Sequence, residues 1–255
     1  MWAQLNATKT AGRFTVIKFN LIMTDNNSIK NFEEWNESYV KKYDIDDYYA
    51  KSNFFVRLIE KKRIGAIIKF LEAKDTDKII ELGCGAGHVL EKISNGALTG
   101  LDLSETMLLA AKKRLEESKK VVALLKGDAE RLPCEVKSKK FDKIICSEVL
   151  EHTPRPEAVI DEIFNIAASE AVVIISIPNE KVINRLKQII IKLGIFSFLF
   201  HNTSKKMDEE WHLHAFDLPL LKKISQGKLA IKKVRAVPFW FLPIRYVVQF
   251  ELKQC

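Results

Sequence analysis

The sequence predicts an α/β protein built on a doubly wound, mostly parallel sheet of seven strands with an antiparallel last strand. Three observations carry this. From Asp75 onward, short apolar runs alternate with stretches of helical periodicity, the order that a parallel sheet with crossover helices requires. A glycine-rich turn, Gly83-Cys84-Gly85-Ala86-Gly87, follows the first of those runs directly. The last two runs come without a long helix between them, which suits an antiparallel hairpin closing the sheet edge. With 47% apolar and 29% charged residues in 255, composition excludes a disordered chain, a collagen-like repeat and an integral membrane protein.

The chain divides into an N-terminal segment, a helical cap and the sheet domain. Met1 to Thr24 contains no acid and spreads Lys9, Arg13 and Lys18 through Thr- and Asn-rich sequence. Residues 1–24 are read as a dispensable extension, with Met23 as an alternative start; an organelle transit peptide is the other reading. Residues 25–74 form the cap. In it Phe32, Trp35, Tyr39 and Tyr43 recur at helical spacing, giving either a lid over a site or a plain packing helix, and a second helix runs from about Lys51 to Leu71. Residues 75–255 hold the sheet. Its strands are expected at 78–82, 97–101, 121–125, 141–146 and 171–177, with helices at 105–118 and 156–168 and closing strands at 229–237 and 246–252.

The glycine turn separates two classes of ligand. A dinucleotide fingerprint reads G-x-G-x-x-G, whereas here the pattern is G-x-G-x-G followed by His88, at the expected start of a helix, with Glu81 two residues before the first glycine. An acid there repels a diphosphate and suits an ammonium group. Asp102, nineteen residues after Gly83 at the end of the second strand, can accept from vicinal ribose hydroxyls, and Asp128 ends the third strand.

Glu81-Leu82-Gly83-Cys84-Gly85-Ala86-Gly87, Gly100-Leu101-Asp102-Leu103-Ser104 and Gly127-Asp128-Ala129 together resemble the cofactor motifs of class I S-adenosylmethionine-dependent methyltransferases, over roughly Lys78 to Ile177. The resemblance implies a Rossmann-like sheet with an N-terminal helical lid. It implies cofactor contacts at Glu81, Gly83, Gly85, Gly87, Asp102, Leu103, Asp128, Ala129 and Ser147: Gly83 and Gly85 under the methionine part, Glu81 on its ammonium, Asp102 on the ribose and Asp128 on the adenine.

Ser147-Glu148-Val149-Leu150-Glu151-His152 follows the fourth strand, at the rim where the methyl group emerges. His152 is the candidate catalytic base, its ordinary pKa lying near neutrality; the bland alternative is a histidine that anchors the next loop. The spacing E-x-x-E-H also suggests Glu148, Glu151 and His152 as ligands of a divalent metal, or as acids that cap a helix. This element resembles that of ubiquinone-pathway O-methyltransferases and of small-RNA 2′-O-methyltransferases, which implies a further histidine, here His212 or His214. In the loop Trp211 to Asp217 these histidines either close on the substrate or sit at a helix start with Asp217 as N-cap.

Charge and cysteines bound the setting. Lys and Arg exceed Asp and Glu by 41 to 33, so an anionic partner is expected. Six of those cations and no acid lie in a basic apolar insertion at about 181–206, which also holds Ile189-Ile190-Ile191 and the run Ile195 to Phe200. Such a segment suits shallow insertion into an anionic bilayer, a greasy wall over the site, or an ordinary cover helix. Its place after the fifth strand resembles the membrane-contacting insertion of ubiquinone-pathway enzymes, although its sequence does not match theirs closely. No run is long enough to cross a bilayer. Cys84, Cys134, Cys146 and Cys255 show no CxxC pair, which points to a reducing cytoplasm, with peripheral membrane contact. The expected activity is methyl transfer from S-adenosylmethionine to a small, lipophilic, hydroxylated acceptor, O-methylation ranking above C- or N-methylation. The alternatives are an RNA methyltransferase, for which no appended RNA-binding domain is visible, and a noncatalytic cofactor-binding partner subunit.

Overall fold

A computed structural model describes residues 26–43, 52–194 and 211–253. The extension 1–24 and the run Ile195 to Phe200 lie outside the described residues. The elements run α1 (Asn26–Tyr43), α2 (Phe54–Leu71), β1 (Lys78–Leu82), β2 (Ala97–Asp102), α3 (Glu105–Glu117), β3 (Val122–Lys126), α4 (Cys134–Lys137), β4 (Phe141–Ser147), α5 (Pro156–Ile166), β5 (Ala167–Pro178), α6 (Glu180–Lys192), α7 (Leu218–Ile224), β6 (Leu229–Phe239) and β7 (Leu242–Leu252).

One seven-stranded sheet has the order β3-β2-β1-β4-β5-β7-β6. β1 to β5 pair in parallel, and β7 lies antiparallel between β5 and β6. The apolar strands bury both faces. Ile80, Ile144 and Ile175 face the side covered by α5 and α7, while their neighbours Ile79, Ile145 and Ile174 face α2 and α3. This two-residue alternation between two covered faces is why the strand sequences read as continuous apolar runs. Side chains fix the helix starts: Asn53 accepts the Val56 amide at 3.0 Å, Ser104 the Met107 amide at 3.2 Å and Asp217 the Leu220 amide at 2.9 Å. Asp217 is thus an N-cap.

Three elements differ from expectation. The glycine turn leads into a single 3-10 turn at Leu90–Lys92 rather than an α-helix. Gly87 and Gly96 both have positive φ, so the chain leaves helical geometry at either end of this segment. β5 starts at Ala167, directly from α5. β6 and β7 are joined by the two residues Trp240 and Phe241 rather than a longer loop; Pro238 and Pro243 sit opposite each other in the pairing, tolerated because β6 is an edge strand and β7 has there run past its last rung with β5. Cys84, Cys134 and Cys146 are free thiols.

Phe250 on β7 is fully buried between strands and α7. Phe250→Ala should lower the unfolding free energy by about 3–5 kcal/mol. Urea denaturation with an unchanged m-value would register it, and a loss under 1 kcal/mol would mean the sheet edge is not packed as described.

Candidate functional site

The strand order reverses between β1 and β4, and open α/β sheets bind ligands in the crevice beyond that point. A cavity of about 290 Å³ fills it. Phe32, Asn36 and Val40 of α1 wall one side, so the cap helix lies over the cavity, although of the aromatic stripe Phe32 lines it and Trp35 and Tyr39 do not. α1 is fastened there by Glu37, which accepts hydrogen bonds from the Ser104 hydroxyl at 2.6 Å and from the Thr106 hydroxyl.

The turn is shaped by its glycines. Gly83 has φ +70°, and a Cβ there would overlap the Val149 side chain, so this glycine lets the turn close against the loop after β4. Gly85, at φ +49°, meets nothing within 4 Å on its Cβ side and donates its N–H to Asp102 Oδ2 at 2.7 Å. Asp102 Oδ1 takes the Ser104 amide at 2.9 Å, and Asp128 Oδ1 takes the Glu130 amide at 2.8 Å. Glu81, Gly83, Gly85, Asp102, Leu103, Asp128, Ala129 and Ser147 all line the cavity. Gly87 does not: its missing Cβ makes room for Ala111 of α3, 3.3 Å from where it would stand, so this glycine packs the turn rather than facing a ligand.

The carboxylates are held out of water. Burial pushes Glu81 up to about 8, against the opposing pull of Arg63, and one of its oxygens has no hydrogen-bond partner. Burial likewise raises Asp102 and Asp128. Sequence reading missed two cations at this edge, of which Arg63 faces Glu81. Arg63 of α2 is buried, pairs with Glu60 at 2.6 Å, donates to the Ser147 hydroxyl and lines the cavity. Arg245 of β7 reaches Glu60 at 3.2 Å and pairs with Glu148. The only signal in the sequence was the i,i+3 spacing of Glu60 and Arg63 within a largely apolar helix.

Beyond the turn, the structure gathers Glu151, His152 and His212, whose ligating atoms lie within 4.8 Å of one another. Glu148 is not among them. Its backbone N–H binds the Ser176 carbonyl at 3.0 Å, and its side chain accepts the Ser176 hydroxyl at 2.9 Å beside Arg245. The positive φ of Glu148 turns the chain so that two acids three residues apart part company. His214 is also elsewhere, its Nε2 3.3 Å from the Pro154 carbonyl.

Both clustered histidines have Nδ1 committed. His152 Nδ1 donates to the Trp211 carbonyl at 3.3 Å, and His212 Nδ1 donates to Glu180 Oε1 at 2.5 Å. An uncharged His152 therefore keeps its lone pair on Nε2, whereas His212, ion-paired with Glu180, acts on its neighbours as a cation. The His152 Nε2 lies 4.0 Å from Glu151 Oε1, and Glu151 Oε2 is buried without a partner. Burial, opposed by His212, pushes Glu151 up to about 7; burial and then His212 push His152 down to about 3. Glu151 and the His152 Nε2 are acceptors that face one another and invite a proton, and with His212 uncharged the three side chains together could hold a cation.

A family model described as a methyltransferase domain matches residues 73–225, more than half of the chain. The chain belongs to this family, the class I S-adenosylmethionine-dependent methyltransferases. Ubiquinone biosynthesis O-methyltransferases are similar over part of it: that of Glaesserella parasuis is 32% identical over 107 residues, covering 40% of this chain and 45% of the relative, and that of Nitrosomonas europaea is 34% identical over 100 residues, covering 38% and 42%. The match thus spans under half the length of these relatives. Among solved structures, magnesium protoporphyrin IX methyltransferase from Synechocystis PCC 6803 with bound SAH superposes with a TM-score of 0.65 at 17% identity, over 87% of this chain and all of that one. A Thermotoga maritima methyltransferase described as a possible histamine N-methyltransferase gives 0.62 at 18%, with the same coverage. At such identity these show a shared fold.

Two outcomes follow for the methyltransferase. Gly83→Ala should weaken S-adenosylmethionine binding by about tenfold or more in calorimetric titration, because turn and loop cannot both keep their places. Glu81 titrates higher folded than unfolded, so its protonated form favours folding; that share of stability is whole below about 4.5 and lost as pH rises through about 8. In ligand-free urea melts Glu81→Gln should therefore gain on the native chain across that range, and parallel curves would show Glu81 to be ionised throughout.

Proposed function

We propose that this methyltransferase moves the methyl group of S-adenosylmethionine to a hydroxyl of a small, lipophilic acceptor. The observation that carries the reading is the meeting of Glu151, His152 and His212 on the wall of the cavity. The donor supplies an electrophilic methyl on a sulfonium, displaced in line, so alignment supplies much of the catalysis. Glu81 would hold the ammonium, which gives its partnerless oxygen a partner, and Arg63 would face the donor's carboxylate. Asp102 would accept from the ribose hydroxyls with the lone pairs left over from Gly85 and Ser104. Leu103 and Ala129 would flank the adenine, and Asp128 would meet its amino group.

At the acceptor end the division of labour differs from a lone histidine base. His152 stays uncharged at neutral pH, but a nitrogen held near 3 accepts protons weakly; Glu151, held near 7, is better matched to the acceptor hydroxyl's proton. His152 and His212 then orient the hydroxyl through Nε2. The same three side chains suit a divalent cation, which would acidify the hydroxyl. Similarity to ubiquinone biosynthesis O-methyltransferases supports an oxygen acceptor. The apolar, cationic α6, with Ile183 on the cavity wall, supports a lipophilic one and a peripheral place at a membrane.

Incubation with methyl-labelled donor and a cell extract should place the label in the lipid-soluble fraction; label in RNA would overturn the acceptor class. Glu151→Gln and His152→Ala should each cut kcat by about 10²–10⁴ while leaving donor affinity unchanged. Undiminished kcat in Glu151→Gln would remove it as the base, and undiminished turnover after chelation with EDTA would remove the cation.

A further inference from the structure

The turn that joins β6 to β7 is made of Trp240 and Phe241, 85% and 65% exposed. Two-residue hairpin turns ordinarily carry Gly, Asn or Asp, and large aromatic side chains held in water need a reason. The tip stands clear of the sheet, since the last β5–β7 rung pairs Pro178 with Arg245 and the hairpin continues past it. It does so at the carboxyl edge, where the cavity opens. The first turn of α2 reaches the same edge, because α2 ends where β1 begins at the opposite one; its Phe54 and Phe55 are 71% and 50% exposed. The two features are neighbours. Lys62 of α2 donates to the Pro238 carbonyl at 3.3 Å and lies 4.0 Å over the Phe239 ring at the hairpin's neck, about two turns of helix from Phe54.

Charge says what these aromatics face. The exposed ionisable groups of α2 and α6 are all cationic, Arg57, Lys61 and Arg185 among them, while the acids of both helices, Glu60 and Glu180, are buried and paired. Aromatic side chains beside the exposed cations of these two helices match an anionic bilayer, with rings at the headgroup boundary and cations among the headgroups. We propose that the Trp240–Phe241 hairpin tip and the Phe54–Phe55 turn of α2 dock this protein on an anionic lipid surface, with the cavity opening toward the membrane. The docking rests on the lipophilic-acceptor reading for its purpose, and its aromatic anchors lie outside the 181–206 segment.

Binding is measured without any acceptor, so its failure would leave methyl transfer standing, and a wrong acceptor would leave docking standing. The full chain should sediment with phosphatidylcholine vesicles containing phosphatidylglycerol, more weakly with phosphatidylcholine alone and more weakly in high salt. Vesicles with brominated acyl chains should quench tryptophan emission in the native chain and quench less in Trp240→Phe. Trp240→Ser with Phe241→Ser should lose about tenfold or more in partitioning while still binding S-adenosylmethionine, which certifies its fold. Val121→Ser, which alters an exposed apolar residue at the opposite edge of the sheet, should change nothing. Absence of sedimentation with anionic vesicles, equal sedimentation of the tip variant, or quenching indifferent to Trp240 would each overturn the proposal.

Discussion

The site depends on carboxylates buried at the carboxyl ends of adjacent strands. An ionised acid taken out of water is costly unless the fold supplies partners. For Asp102 and Asp128 backbone amides do so, and these two acids double as the staples that shape the glycine turn and the loop after β3. Glu81 and Glu151 each keep a buried oxygen with no partner. The protein alone therefore holds both acids with raised affinity for protons, and a cationic or hydroxylic ligand relieves what folding leaves unmet. That imbalance favours an ammonium-bearing nucleoside over a diphosphate.

The opposing cations tie distant parts of the chain to this edge. Arg63 comes from a helix before the sheet and Arg245 from its last strand, and they converge on Glu60, with Ser147 and Glu148 of the fourth strand's end on either side. The antiparallel strand thus does more than close the sheet. Through Arg245 it fixes Glu148 away from the acceptor end and leaves Glu151 to meet the histidines. Glu180, the first residue of α6, completes the arrangement by holding His212. A displacement of the hairpin or of α6 would therefore be felt directly at the cavity.

Much of this was legible in the chain. Apolar runs buried on both faces gave the strands within a few residues, and the glycine turn with Glu81, Asp102 and Asp128 marked the crevice because each sits at the end of a strand. Boundaries failed where local signals were overridden: the segment after Gly87, held between two positive-φ glycines, forms only a 3-10 turn, and two prolines near the hairpin tip were compatible with pairing. Gly87 looked like a ligand-facing glycine because spacing cannot tell a missing side chain that admits a ligand from one that admits a neighbouring helix.

Order along the chain determined the fold class, the switch point and the family, because periodicity and turn chemistry act over a few residues. Tertiary structure alone decided which acids meet which cations. Glu148 and Glu151 are equivalent by spacing, yet a left-handed backbone at one of them sends it to Arg245, while the other joins His212, some sixty residues on. Side chains brought together across such separations are set by packing of whole elements, and no local pattern records that.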